Sequence, residues 1–123
     1  MKLRVGVVGL GFFGSRHARV YAEHPAAELV GVADLDPVRV AAVAASTGAV
    51  GHADYRDLLA QEGLDAVSIC LPDRLHEEAA IAAAEAGKAI LLEKPLAHDT
   101  ATAGRIVAAV EQHRARLMVG HIL

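Results

Sequence analysis

The chain has no tryptophan and only two tyrosines and two phenylalanines, so aromatic residues make up 3% of it. Its core must therefore be packed from small and branched side chains, and the 54% apolar fraction is mostly alanine, valine, leucine and isoleucine. Cysteine is as scarce. Cys70 stands alone, which excludes an internal disulfide and suits a reducing, cytoplasmic setting. No apolar run reaches the roughly 18 residues of a membrane-spanning helix. An excess of positive charge is also lacking: 12 Lys and Arg against 15 Asp and Glu leave a net charge of -3, with no long basic run. That argues against a nucleic-acid partner held through its phosphates. The opening "MKLRVGVVGLGFFG" has a basic start and an apolar stretch, but glycines interrupt it and a helix-forming segment follows directly. It reads as a strand rather than a signal peptide.

What remains is one domain's length of chain, 123 residues, 22% of them charged, with the balance of a soluble globular protein. Short apolar runs alternate with alanine-rich helical stretches. Strands are expected at Leu3–Leu10, Glu28–Asp34, the "GAVGH" segment, Asp65–Leu71, Ala89–Glu93 and Leu117–His121. Helices are expected at Phe13–His24, from Asp36-Pro37 to Thr47, at Asp54–Gln61, Arg74–Ala86, and from an Asp99 cap to His113. The strands are continuous apolar runs rather than strict alternations, the pattern of a parallel sheet covered on both faces. Strand–helix alternation then implies right-handed crossovers and an α/β, doubly wound sheet of about six strands.

Gly9, Gly11 and Gly14 in "VVGLGFFGSRHA" have the G-x-G-x-x-G spacing, directly after the first strand and at the opening of the first helix. In that setting Gly9 permits the tight turn, Gly11 lets the backbone approach a pyrophosphate, and Gly14 lets helix and strand pack closely. The free N–H groups and dipole of the helix N-terminus favour the phosphates. Asp34, twenty residues after Gly14 at the end of "ELVGVAD", is placed to accept hydrogen bonds from the adenosine ribose and to repel a 2′-phosphate. NAD is therefore expected in preference to NADP. Asp36 competes for that role, but Pro37 beside it makes Asp36 the better helix cap. Two further clusters follow strands and so face the same crevice: "CLPDRLHEEAA" with Pro72 and His76, and "LLEKPLA" with Glu93, Lys94 and Pro95.

Together "GLGFFGSRHA", "VADLDP", "LPDRLHEEAAIAAAEAGK", "EKPLA" and the terminal "MVGHIL" resemble the Gfo/Idh/MocA oxidoreductases, in the family's order and over nearly the whole chain. The resemblance implies a Rossmann sheet of order 3-2-1-4-5-6 and an NAD(P)-dependent dehydrogenase acting on a CH–OH group of a sugar, inositol or similar polyol. It assigns Lys94 as the catalytic residue, hydrogen-bonding the substrate hydroxyl and the nicotinamide ribose. An ammonium beside a developing alkoxide is chemically apt for that role, and Pro95 disfavours helix at Lys94. Phe12 and Phe13 would offer backbone N–H groups to the phosphates, with ring packing as the simpler role for at least one of them. Leu71, Pro72 and His76 would line the middle and nicotinamide side of the cofactor, with His76 alternatively decorating the start of its helix. Glu93 would lie near the nicotinamide or else simply be a polar strand-end residue.

The resemblance also implies that residues 1–123 are the NAD(P)-binding domain, with the family's C-terminal substrate domain absent. Such a domain is expected to bind cofactor without turnover, and to self-associate as a homo-oligomer. The competing functions are a non-catalytic NAD-binding sensor or regulatory module, against which Lys94 in "EKP" weighs, and a related two-domain reductase of the biliverdin or amino-acid-pathway kind. Seven histidines (His17, His24, His52, His76, His98, His113 and His121) lack ligand spacing, so no metal is expected. His17 matches a family position in the first helix, but helix packing or exposure explains it as well. Cys70 reads as a small buried hydrophobe.

Overall fold

The computed structural model describes residues 2–94, 96–97 and 99–120. The expected end of the last strand at His121 and Pro95 itself lie outside them, whereas Lys94, expected to be kept out of a helix, is described in a bend directly after the fifth strand. Strands β1 (Leu3–Val8), β2 (Ala27–Ala33), β3 (Val50–His52), β4 (Ala66–Ile69), β5 (Ala89–Glu93) and β6 (Leu117–Gly120) form one sheet of order β3-β2-β1-β4-β5-β6. Every pairing in it is parallel. Helices α1 (Phe12–Glu23), α2 (Pro37–Thr47), α3 (Tyr55–Leu59), α4 (His76–Glu85) and α5 (Thr100–Gln112) connect the strands. The doubly wound α/β sheet expected from the alternation is what the chain forms, and the order reverses direction between β1 and β4.

Local chemistry explains most of the element ends. The Asp36 carboxylate accepts from the Val38 N–H at 2.9 Å, with Pro37 at the first helical position, and Gly48 follows the last turn of α2. Asp54 caps α3 through the Arg56 N–H, and Asp99 caps α5 through the Thr102 N–H at 2.7 Å. The first strand stops two residues earlier than expected, at Val8, because Gly9 has φ +89° and leaves the extended region. The fourth helix opens with a 3₁₀ turn at Asp73–Leu75, so its regular part starts at His76 rather than Arg74. The strand Ala66–Ile69 is shorter than the apolar run around it, since the ladder to β5 ends at Ile69 and Leu92.

The sheet is covered on both faces, each with its own core. On one side α1 and α2 pack Ala18, Tyr21, Val40 and Val43 against Val7, Leu29 and Val32. On the other, α3, α4 and α5 pack Leu58, Leu59 and Ile106 against Val67, Ile69, Ile90 and Leu92. Helix α4 meets that core through Ala79, Ala80, Ala83 and Ala84, whose small side chains let it lie close to the sheet without aromatic filler. Leu58, Leu92 and Ile106 are fully buried, each contributing about 1.5–3 kcal/mol of transfer free energy. The loops at the carboxyl ends of β1, β2, β4 and β5 gather along one edge, at the reversal of strand order. Such a reversal opens a crevice in a doubly wound sheet.

Candidate functional site

The glycine loop sits at that edge, and its three glycines meet different surroundings. A Cβ at Gly14 would stand 1.7 Å from the Gly9 carbonyl oxygen, so only glycine lets α1 start this close to the end of β1. A Cβ at Gly9 would come within 2.7 Å of the Cys70 carbonyl oxygen. At Gly11 the nearest atom to a Cβ is the Arg39 Nη1 at 3.8 Å, so this glycine borders open space. Gly11 is the N-cap of α1, makes no side-chain cap hydrogen bond, and is followed by a first turn without acidic residues. Helices α2, α3 and α5 each have an aspartate in that position. The start of α1 thus combines unsatisfied N–H groups with the positive end of a helix dipole.

Asp34 closes the crevice from β2. Its Oδ2 accepts from the Leu10 N–H at 2.7 Å, and its Oδ1 from the Asp36 N–H at 2.8 Å. The carboxylate therefore ties the glycine loop to the start of α2. Two acceptances use half of a carboxylate's roughly four lone-pair sites, leaving each oxygen free to accept once more from a ligand hydroxyl. One hollow is lined by Gly9, Gly11, Asp34, Arg39, Leu71 and Pro72 among others. A more apolar one, sharing Asp34, Leu35, Leu71 and Leu75, extends to Tyr55 and Arg56. The two adjoin as a trough across the ends of β1, β2 and β4.

Phe12 and Phe13 are 66% and 51% exposed, and neither ring enters the core. The expected ring packing is replaced by an edge-to-face contact between the two, 5.2 Å between centroids, and by Arg16 lying over Phe12 at 4.2 Å. Leu71 is half-buried and Pro72 is exposed, both on the wall of the trough. His76 is placed differently from these two. It is 1% exposed and lies beneath the wall, with Nε2 donating to the Leu71 carbonyl at 2.8 Å and Nδ1 3.4 Å from the Leu96 carbonyl. Lys94 is exposed, immediately after β5.

Glu93 is the last residue of β5 and has a partner on α1. Its carboxylate accepts from His17 Nε2 at 2.9 Å, with both side chains largely shielded from solvent. Gly120 on the paired strand leaves room for it, with a Cβ there 3.8 Å from Oε1. Next to this pair, Tyr21 and Ser68 share a hydrogen bond of 2.5 Å. Burial, with Glu93 nearby, pushes the Cys70 thiol up to about 12, so it is neutral and unreactive at ordinary pH. The sequence alone points neither to this partner for His17 nor to Arg39 beside the glycine loop. No local spacing links His17 to a carboxylate 76 residues away. The D-x-x-x-x-R interval from Asp34 to Arg39 was the only trace of the arginine beside the glycine loop.

A cradle that a Cβ would fill, an uncapped helix start facing it, and a carboxylate across the trough fit a dinucleotide, and together they define a dinucleotide-binding α/β domain. Residues 3–121 match the family model GFO_IDH_MocA, an oxidoreductase family with an NAD-binding Rossmann fold, and the chain belongs to that family. It is 49% identical over 111 residues to inositol 2-dehydrogenase 1 of Saccharopolyspora erythraea, a match covering 88% of this chain and 33% of that protein. Among solved structures, the WlbA dehydrogenase of Chromobacterium violaceum, in complex with NADH and UDP-GlcNAcA, superposes with a TM-score of 0.92 at 35% identity. That match covers 97% of this chain and 35% of the other. Myo-inositol 2-dehydrogenase of Lactobacillus plantarum gives a TM-score of 0.91 at 28% identity, over 98% of this chain and 36% of the other. The chain thus spans about a third of the length of the relatives it matches.

Proposed function

We propose that this chain is the cofactor half of an NAD-dependent dehydrogenase that oxidises a CH–OH group of an inositol, a sugar or a similar polyol. The observation that carries the reading is the uncapped start of α1 at Gly11, facing Asp34 across one trough. Gly9, Gly11 and Gly14, with the backbone N–H groups of Phe12 and Phe13, would hold the pyrophosphate. Asp34 would accept from the adenosine ribose hydroxyls and disfavour a 2′-phosphate by like charge, making NAD the preferred cofactor. Leu71 and Pro72 would flank the cofactor's middle, and Glu93 would stand near its nicotinamide end.

A bound nicotinamide supplies the hydride acceptor or donor. Lys94 is the residue we assign to the reacting centre. Its ammonium would hydrogen-bond the nicotinamide ribose and the substrate hydroxyl, and stabilise the alkoxide as the hydroxyl proton leaves. The polyol or sugar class is supported by the relatives, which include inositol 2-dehydrogenases and a UDP-N-acetylglucosamine 3-dehydrogenase. The domain alone would bind cofactor with little turnover, in the cytoplasm, and associate with a second copy of itself.

Titration calorimetry tests the binding half. NAD should bind more tightly than NADP, and Asp34→Asn should weaken NAD and narrow the gap between the two. A wild-type chain that prefers NADP would remove Asp34 from the selectivity argument. For the catalytic half, the Lys94→Ala variant of a longer polypeptide containing this domain should lose most of its polyol-dependent NADH formation, and undiminished turnover would exclude Lys94.

A further inference from the structure

His76 is completely buried at the start of α4, yet both ring nitrogens face backbone carbonyls, Leu71 at 2.8 Å and Leu96 at 3.4 Å. The two carbonyls belong to segments with no strand pairing to each other, since the β4–β5 ladder ends at Ile69 and Leu92. Beyond that point the imidazole takes over from the ladder. On one side it holds Leu71, whose side chain walls both hollows of the trough. On the other it faces Leu96, two residues after Lys94. The shorter contact is the hydrogen bond, with the Nε2 N–H donating to the Leu71 carbonyl, and the Nδ1 edge of the buried ring packs against the Leu96 carbonyl.

We propose that His76 is a positioning residue, holding the crevice wall at Leu71 by its hydrogen bond and wedged against the Leu96 segment, thereby setting where Lys94 stands relative to the nicotinamide end of the cofactor. This rests on the reading of Lys94 given above. His76 itself stays under the wall and touches neither cofactor nor substrate.

Calorimetry with two ligands separates this from general stabilisation. ADP-ribose reports the adenosine and phosphate half alone, and NADH adds the nicotinamide end. His76→Gln keeps a donor near the Nε2 position and loses the group facing Leu96. It should leave ADP-ribose affinity within about twofold of wild type and weaken NADH about fivefold, the scale of one polar contact. Lys94→Ala should weaken NADH by a similar factor, and the double variant should be no weaker than Lys94→Ala alone, because the two act through one group. Equal losses for both ligands, or additive effects of the two substitutions, would overturn the proposal. If the wild-type chain binds neither ligand, the dinucleotide reading fails first. The tie is then judged without any variant by the ring ¹⁵N spectrum of His76, in which Nε2 must carry a proton. An unprotonated Nε2 would mean the Leu71 contact does not exist.

Discussion

Gly14 has no room for a methyl group, whereas Gly11, three residues earlier, has room on every side but that of Arg39. The same motif therefore contains one glycine required by the fold and one that the fold leaves free, which the proposed function assigns to the ligand. Gly14→Ala must push the helix start off the Gly9 carbonyl, and overpacking of rigid backbone costs at least about 1–3 kcal/mol. Its urea midpoint should fall sharply. Gly11→Ala should unfold within about 1 kcal/mol of wild type, the range of N-cap exchanges, yet lose NAD binding by tenfold or more. A Gly11→Ala chain that binds NAD normally would dissociate this loop from the cofactor. Cys70 makes a third residue-scale case. Its folded value of about 12 lies above its ordinary value of 9.0. Its contribution to stability is therefore complete below about pH 9 and lost as pH rises from there towards 12. Cys70→Ala should flatten the alkaline fall in stability, read from urea unfolding at successive pH values. Tyr21 and Tyr55, both also raised by burial, keep a smaller slope in the variant.

At the scale of elements, the capping aspartates were legible because they act over two or three residues. Asp36, Asp54 and Asp99 each announce a helix with which they are contiguous. The absence of such a residue before α1 was equally legible, and it is what exposes N–H groups to the trough. Contacts between elements were not. The His17–Glu93 hydrogen bond joins α1 to the end of β5, and His76 joins two loops, through backbone carbonyls that have no sequence signature. Each is made by a side chain meeting chain that only the sheet order brings near. The His17–Glu93 link should be measurable as coupling. His17→Ala leaves a shielded carboxylate without its donor, Glu93→Gln removes the charge, and a double-mutant cycle on unfolding free energy should return about 1 kcal/mol of favourable interaction. Strict additivity would mean that the two side chains do not cooperate in solution.

For the whole molecule, the alternation of apolar runs and alanine-rich helices was enough to state a doubly wound sheet, because burial on both faces leaves that pattern in the sequence. The strand order came from the family resemblance, and six parallel strands in that order are what the chain forms. Coverage of the sheet is uneven in a way composition does not reveal. Helix α1 lies over β1, β2 and β4. Farther along the same face, Leu91 on β5 is half-buried beside Val20, while Met118 on β6 is 69% exposed and Val20 is 57% exposed. Among the described residues no helix covers this strip. Contiguous exposed apolar surface of this kind favours association, and a second copy of the chain offers a matching strip through a two-fold contact. The mean mass by light scattering should therefore rise with concentration through the micromolar range. Met118→Lys combined with Val20→Lys should hold the chain at monomer mass while leaving NAD affinity unchanged, since neither residue lines the trough. A wild-type chain that stays monomeric throughout that range would assign the strip no role between copies.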